Sequence, residues 1–159
     1  MTANCWPTFH VQSMIWATDL IGLETLLFPS AEISAKVIKT PIPTAAYLFP
    51  HLHPGINTCF DGWNSAVSAE VGASAVIKAA GYKLDVMMNA YHSSEKYEEE
   101  CDTSRNGDVL TDHAYFGTNV HPYETIFLKS NRDIDPTNLE KMTEWVEGSG
   151  YSSYDYCSA

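Results

Sequence analysis

Long apolar runs are missing from this 159-residue chain. No segment approaches the roughly 18 apolar residues that a membrane-spanning helix requires, and the N-terminus lacks the basic stretch and apolar run of a secretory signal. Basic residues are scarce, nine against twenty acids, for a net charge of −11. A nucleic-acid binder needs cations to displace phosphate counterions, so no nucleic-acid partner is expected; an acidic surface suits solubility. The four cysteines, Cys5, Cys59, Cys101 and Cys157, form no C-x-x-C pair, which argues against a zinc ribbon. They permit three disulfide pairings, so bridges in the Golgi or secretory pathway and reduced thiols in the cytoplasm are both open. A Rossmann glycine fingerprint and a G-x-S-x-G elbow are absent, as is any internal repeat.

What is present is the composition of a globular domain, 45% hydrophobic and 12% aromatic, long enough to bury a core. Phe9 to Phe28 predicts a short strand and then a helix, with Thr18 or Asp19 as cap and Leu20, Leu23 and Leu27 as its stripe. Ala31 to Ile38 is a weaker segment, and 40–62 is loop-like, with four prolines and two glycines. In the next unit Ser65 and Ser68 can cap a helix that has Glu70 near its start. Val67, Val71 and Ala75 line one face of that helix, and Gly81 stops it. Tyr82 to Met88 then predicts a strand with Lys83 and Asp85 on a polar face. The run Glu98-Glu99-Glu100 predicts a solvated loop within 93–112. Thr125 to Lys129 predicts a strand, and Asp135-Pro136 opens a helix whose Leu139, Met142 and Val146 form the buried face, with Trp145 beside it. Strands alternating with helices indicate an α/β domain over residues 1–147. Its mixed sheet would be flanked by helices at about 19–28, 66–80 and 136–146, with a Gly/Ser/Tyr tail over 148–159.

Three stretches carry a resemblance. Glu70-Val71-Gly72-Ala73-Ser74, running on to Ala80-Gly81-Tyr82-Lys83-Leu84, resembles the E-x-G-L-S-x-x-L-x-x-A-G-Y-x-I stretch of the rhamnan synthesis protein F group. It is also similar to the E-D-x-x-L-x-x-R-x-x-x-A-G-Y stretch of inverting family 2 glycosyltransferases. His10-Val11-Gln12-Ser13-Met14, continued through Thr18-Asp19-Leu20, resembles the Q-S-Y-F-x-x-x-R stretch of the first group. His121-Pro122-Tyr123-Glu124, continued to Ser130-Asn131-Arg132, is similar to the end of uncharacterised fungal and algal proteins related to these enzymes. Together they span residues 2–145. The resemblance implies the acceptor-side half of a GT-A-like fold, and hexosyl transfer from a nucleotide-sugar donor to a glycan or other hydroxyl acceptor in polysaccharide biosynthesis.

That chemistry needs a base to take the acceptor proton as the oxygen attacks the anomeric carbon. It also needs positive charge on the departing nucleoside diphosphate, from a divalent metal or from cations. The resemblance gives the base role to Glu70, although Val71 stands where the family 2 enzymes carry a second acid. It implies Mn or Mg in the full-length protein, with His121 completing the metal shell, and Lys129 and Arg132 facing the diphosphate. His10, Gln12 and Ser13 are candidates to hydrogen-bond a sugar. Among Trp16, Trp63, Tyr91 and Tyr115, Trp63 is the candidate to stack on it. The single D-x-D, Asp133-Ile134-Asp135, precedes Pro136 and is better explained as a helix cap, so the donor-binding half is expected to lie outside this chain, as the abrupt start Met1-Thr2-Ala3 also suggests. Two alternatives stand beside the transferase. One is a non-catalytic carbohydrate- or protein-binding module. The other is a metal hydrolase built on His51 and His53, with a third ligand from Asp61, His92, Asp112 or His113.

Overall fold

The structure is a computed structural model and describes residues 2–103, 107–121, 124–126, 136–150, 152 and 154. Its elements in chain order are β1 (Ala3–Asn4), β2 (His10–Val11), α1 (Leu20–Leu27), α2 (Ala31–Ile38), α3 (Trp63–Ala79), α4 (Asn89–Ser93), α5 (Tyr97–Glu100) and α6 (Pro136–Gly148). Among the described residues the sheet is a two-stranded antiparallel ribbon, with Ala3 opposite Val11 and Asn4 opposite His10. The expected mixed sheet is not found there. No helix among the described residues is long and apolar enough to cross a membrane.

Local chemistry explains the helices. Asp19 Oδ1 accepts from Gly22 N at 2.8 Å and opens α1, while Ser30 Oγ accepts from Ile33 N and opens α2. α3 begins three residues before its expected start. Gly62 is its cap, and Ser65 Oγ accepts from Gly62 N and donates to Asp61 Oδ1. Ser68 caps nothing. It lies inside α3 and its hydroxyl donates to the His51 carbonyl at 3.0 Å. Gly81, at φ +89°, ends α3: its N–H bonds the Lys78 carbonyl and that of Tyr82 bonds the Ile77 carbonyl. This paired closure needs a left-handed residue, which glycine supplies without a Cβ clash.

α3 is the axis of the molecule. On one side Leu26, Val37, Ile42, Phe49 and Leu52 pack against its Val71, Ala73 and Val76. The proline-rich segment lies so close that a Cβ on Gly72 would sit 2.1 Å from the His53 carbonyl oxygen. A second cluster forms beneath the ribbon from Phe9, Val11, Val86, Met88, Tyr97, Val109 and Leu110, with Leu139 of α6 against its rim. The Cys5–Cys101 disulfide, Cα–Cα 5.8 Å, ties the end of β1 to the end of α5.

Three further expectations meet a different arrangement. Tyr82 to Met88 is extended and alternates, with Val86 and Met88 buried and Lys83, Asp85 and Met87 exposed, but it is not a strand. Its carbonyls are taken by side chains instead: Tyr91 Oη donates to Leu84 O at 3.0 Å, and a His92 ring nitrogen meets Val86 O at 2.7 Å. The acidic run is not a loop. It forms α5, because Tyr97 at its head is buried and draws the turn onto the core. In α6, Trp145 and Val146 are exposed, so the helix rests on the core through its N-terminal half. The expected strand at 125–129 lies outside the described residues except for Thr125 and Ile126.

Candidate functional site

The exit of β2 and the middle of α3 meet on one carboxylate. Ser13 N donates to Glu70 Oε1 at 3.0 Å, and Ser13 Oγ donates to the same oxygen at 2.7 Å. One turn further along α3, Ser74 Oγ accepts from Val11 N at 2.9 Å. α3 thus completes the open edge of the ribbon with side-chain groups, satisfying backbone donors that a third strand would otherwise take. Glu70 stands past the first two turns of α3 rather than at its start, so the helix dipole does not explain its position.

Beneath the exposed Ser13 and the half-buried Glu70 lies a polar floor. Gln12 is buried; its N donates to Thr2 O at 2.9 Å, its Oε1 accepts from Thr2 Oγ1, and its Nε2 faces Asp108 Oδ1 at 3.5 Å. Asp108 is oriented in turn by Leu110 N at 3.1 Å. His10 is buried within electrostatic reach of Glu70 and Asp108. Burial pushes its pKa down, and the Thr8 carbonyl and the two carboxylates draw it partly back. Nδ1 lies 2.9 Å from Thr8 O. A carbonyl only accepts, so Nδ1 carries the proton and Nε2 the lone pair of the neutral ring.

A pH dependence follows. In the unfolded chain His10 takes a proton below its ordinary value of about 6.5. The folded protein resists that proton to lower pH, so the stability conferred by neutral His10 is complete above about 6.5 and is lost as the pH falls toward the folded value. Urea unfolding between pH 7 and 5 is expected to show a shallower loss of stability for His10→Gln than for the wild type. Equal slopes would show that His10 is not held neutral.

Of the residues singled out from sequence, the structure brings together His10, Gln12, Ser13 and Glu70. Trp63 is the first residue of α3, 61% exposed and about 10 Å along the helix axis from Glu70. His121 is exposed next to the buried Val120. Lys129, Arg132, Asp133 and Asp135 lie outside the described residues. Thr2 and Asp108 were not foreseen, because nothing in their sequence surroundings marks them, and Ser74 stands in the Glu70 stretch but was given no role there. The His51-Leu52-His53 pair is held by its backbone: the His51 carbonyl accepts from Ser68, His53 N donates to Ser68 O at 3.3 Å, and the His53 ring packs edge-on to Phe60. His92 and His113 lie beside Asp85 and Asp112 instead. Among the described residues no group of three or more His, Cys, Asp or Glu side chains is placed to hold a metal ion. No chemical step is therefore assigned to a metal ion at the described residues. No family model, curated protein or solved structure matches the chain.

Proposed function

We propose that this chain is the acceptor-side part of a glycosyltransferase that moves a sugar from a nucleotide-sugar donor to a hydroxyl of a glycan. The observation that carries the reading is the Ser13–Glu70 junction. Two stretches that resemble one enzyme group, with Ser13 and Glu70 standing 57 positions apart in the chain, meet on a single carboxylate at 2.7 and 3.0 Å. Glu70 is accessible enough to receive a hydroxyl proton, and Ser13 holds it in place. In this reading an acceptor hydroxyl displaces Ser13 Oγ at Glu70. Its proton passes to the carboxylate as its oxygen bonds the anomeric carbon, and the bond from that carbon to the diphosphate breaks. His10 and Gln12 set the floor, and Trp63 offers a ring face at the edge. The Cys5–Cys101 bridge supports the secretory-pathway alternative over the cytoplasm, where thiols stay reduced.

A second reading, a carbohydrate-binding module without turnover, is favoured by the same bonds: two Ser13 donors on one oxygen also make a structural tie. Sugar-nucleotide consumption with acceptor glycans, for the wild type and Glu70→Gln, separates the two. The amide oxygen of glutamine can still accept from Ser13, so the tie survives while the base is lost. Consumption that depends on Glu70 supports the transferase. Glycan binding that is indifferent to the substitution, with no consumption in any chain that also carries a donor-binding half, supports the module.

A further inference from the structure

A cavity of about 480 Å³ opens on the side of the second core cluster, and the Glu70 site makes no use of it. The residues lining it include the bridged Cys5 and Cys101, the aromatic Tyr97, Tyr115 and Phe116, and the acidic Glu100 and Asp102. A volume of this size suits a small molecule. Tyr115 and Phe116 meet edge to face, with centroids 5.3 Å apart at 62°, and make an aromatic corner.

Holding that corner is costly. Phe116 is 76% exposed and His113 is largely exposed too, and both have left-handed backbones, φ 53° and 57°. Side chains with a Cβ avoid this region, and such strain persists only where the surroundings enforce it. The enforcement is visible. Asn119 Oδ1 accepts from His113 N at 2.9 Å, Asn119 Nδ2 donates to Asp112 Oδ1 at 3.2 Å, and Asp112 Oδ1 lies 2.7 Å from His113 Nδ1. Below, Tyr115 Oη donates to Glu124 Oε2 at 2.8 Å and accepts from Ala90 N at 3.1 Å. A loop stapled at both ends thus presents a phenylalanine to water in a conformation that glycine would adopt freely.

The charge around the cavity is one-sided. Among the described residues that line it there are two carboxylates and no lysine or arginine. Glu100 Oε2 accepts from the neutral Ser94 hydroxyl, at 3.3 Å, and the chain as a whole carries −11. An anion would be repelled. Aromatic faces carry negative electrostatic potential and attract cations, and carboxylates lining the same cavity add to the attraction. We propose that this cavity is a binding site for an organic cation, a quaternary or alkylated ammonium group held between the Tyr115–Phe116 corner and the Glu100 carboxylate. Both phenols stay protonated at neutral pH, Tyr97 through burial and Tyr115, pushed up to about 12, chiefly through burial as well, so their rings act as neutral faces. The site is independent of the transferase reading: it shares no residue with the Ser13–Glu70 junction.

The test compares choline with its neutral isostere 3,3-dimethyl-1-butanol, each titrated into the ¹⁵N-labelled protein. Choline is expected to shift the amides of residues 113–117 and to bind at least about tenfold more tightly than the isostere. Phe116→Gly and Glu100→Gln are each expected to weaken choline roughly two- to fivefold, and Phe116→Trp to retain it. Phe116→Gly should melt no lower than the wild type, because it relieves the left-handed strain, so its loss of binding cannot be ascribed to unfolding. Equal binding of choline and the alcohol, a shift at 113–117 by glucose but not by choline, no binding of choline, or full binding by Phe116→Gly would each overturn the proposal.

Discussion

Breaking the Cys5–Cys101 bridge is expected to destabilise the protein by about 2–5 kcal/mol. The two cysteines are 96 positions apart, and cross-linking a loop that long removes much of the unfolded chain's freedom. The folded state has few substitutes for the bridge. The ribbon has only two residues in each strand, and β1 is otherwise held to the far part of the chain by bonds such as that from Cys5 N to Gly107 O, at 3.2 Å. Both cysteines also sit against the cluster of Phe9, Val11, Tyr97 and Val109, so opening the bridge loosens that cluster more than the one around α1, α2 and α3. Urea unfolding with and without reductant, and of a Cys5→Ser, Cys101→Ser double variant, reads the loss directly. Amide exchange should rise most at residues 3–11, 97–103 and 107–110. Midpoints unmoved by reductant would show that the bridge carries no part of the stability. The exposed Cys59 is the natural control, since Cys59→Ser should change nothing.

The second large effect concerns chemistry. In a chain that also carries a donor-binding half, Glu70→Gln is expected to lower sugar transfer about 10²–10⁴-fold, the usual worth of a positioned general base. Donor binding should be little changed, because in the proposed reading the substituted group acts on the acceptor. The variant should fold normally, as glutamine keeps an acceptor for Ser13 N and Oγ. Ser13→Ala is the informative companion. It removes one of the two Ser13 donors and loosens the carboxylate's anchorage, so a positioning role predicts a modest loss of turnover and a purely structural role predicts a loss of stability alone. An unimpaired Glu70→Gln would reduce Glu70 to a tie between β2 and α3.

How far the sequence carries the fold depends on whether a signal is local. The Asp19 cap and the Gly81 stop are settled by hydrogen bonds within a few residues, and both are where the residue types point. The alternation from Tyr82 to Met88 also holds as a statement about burial. Period-two patterning marks which side chains face the core, however, and says nothing of whether a partner strand lies beside them. Here Tyr91 and His92 supply the partners instead. The acidic run misled because its three glutamates outweigh one Tyr97 in any composition argument, although that single buried ring decides the conformation. In the site, His10, Gln12 and Ser13 were readable as hydrogen-bonding residues at a strand entry, and Glu70 through the resemblance. Asp108 was not, since it becomes part of the floor only through contacts 96 positions away.

The most direct measurement of the central claim is the Ser13 amide resonance, because its N–H donates to Glu70 Oε1 and any hydroxyl arriving at that carboxylate must disturb it. A panel of mono- and oligosaccharide acceptors titrated into the ¹⁵N-labelled chain is expected to shift Ser13 together with the neighbouring His10 and Gln12 amides. That shift should disappear in Glu70→Ala. A Ser13 amide that no saccharide in the panel moves, while the protein remains folded, would contradict the account.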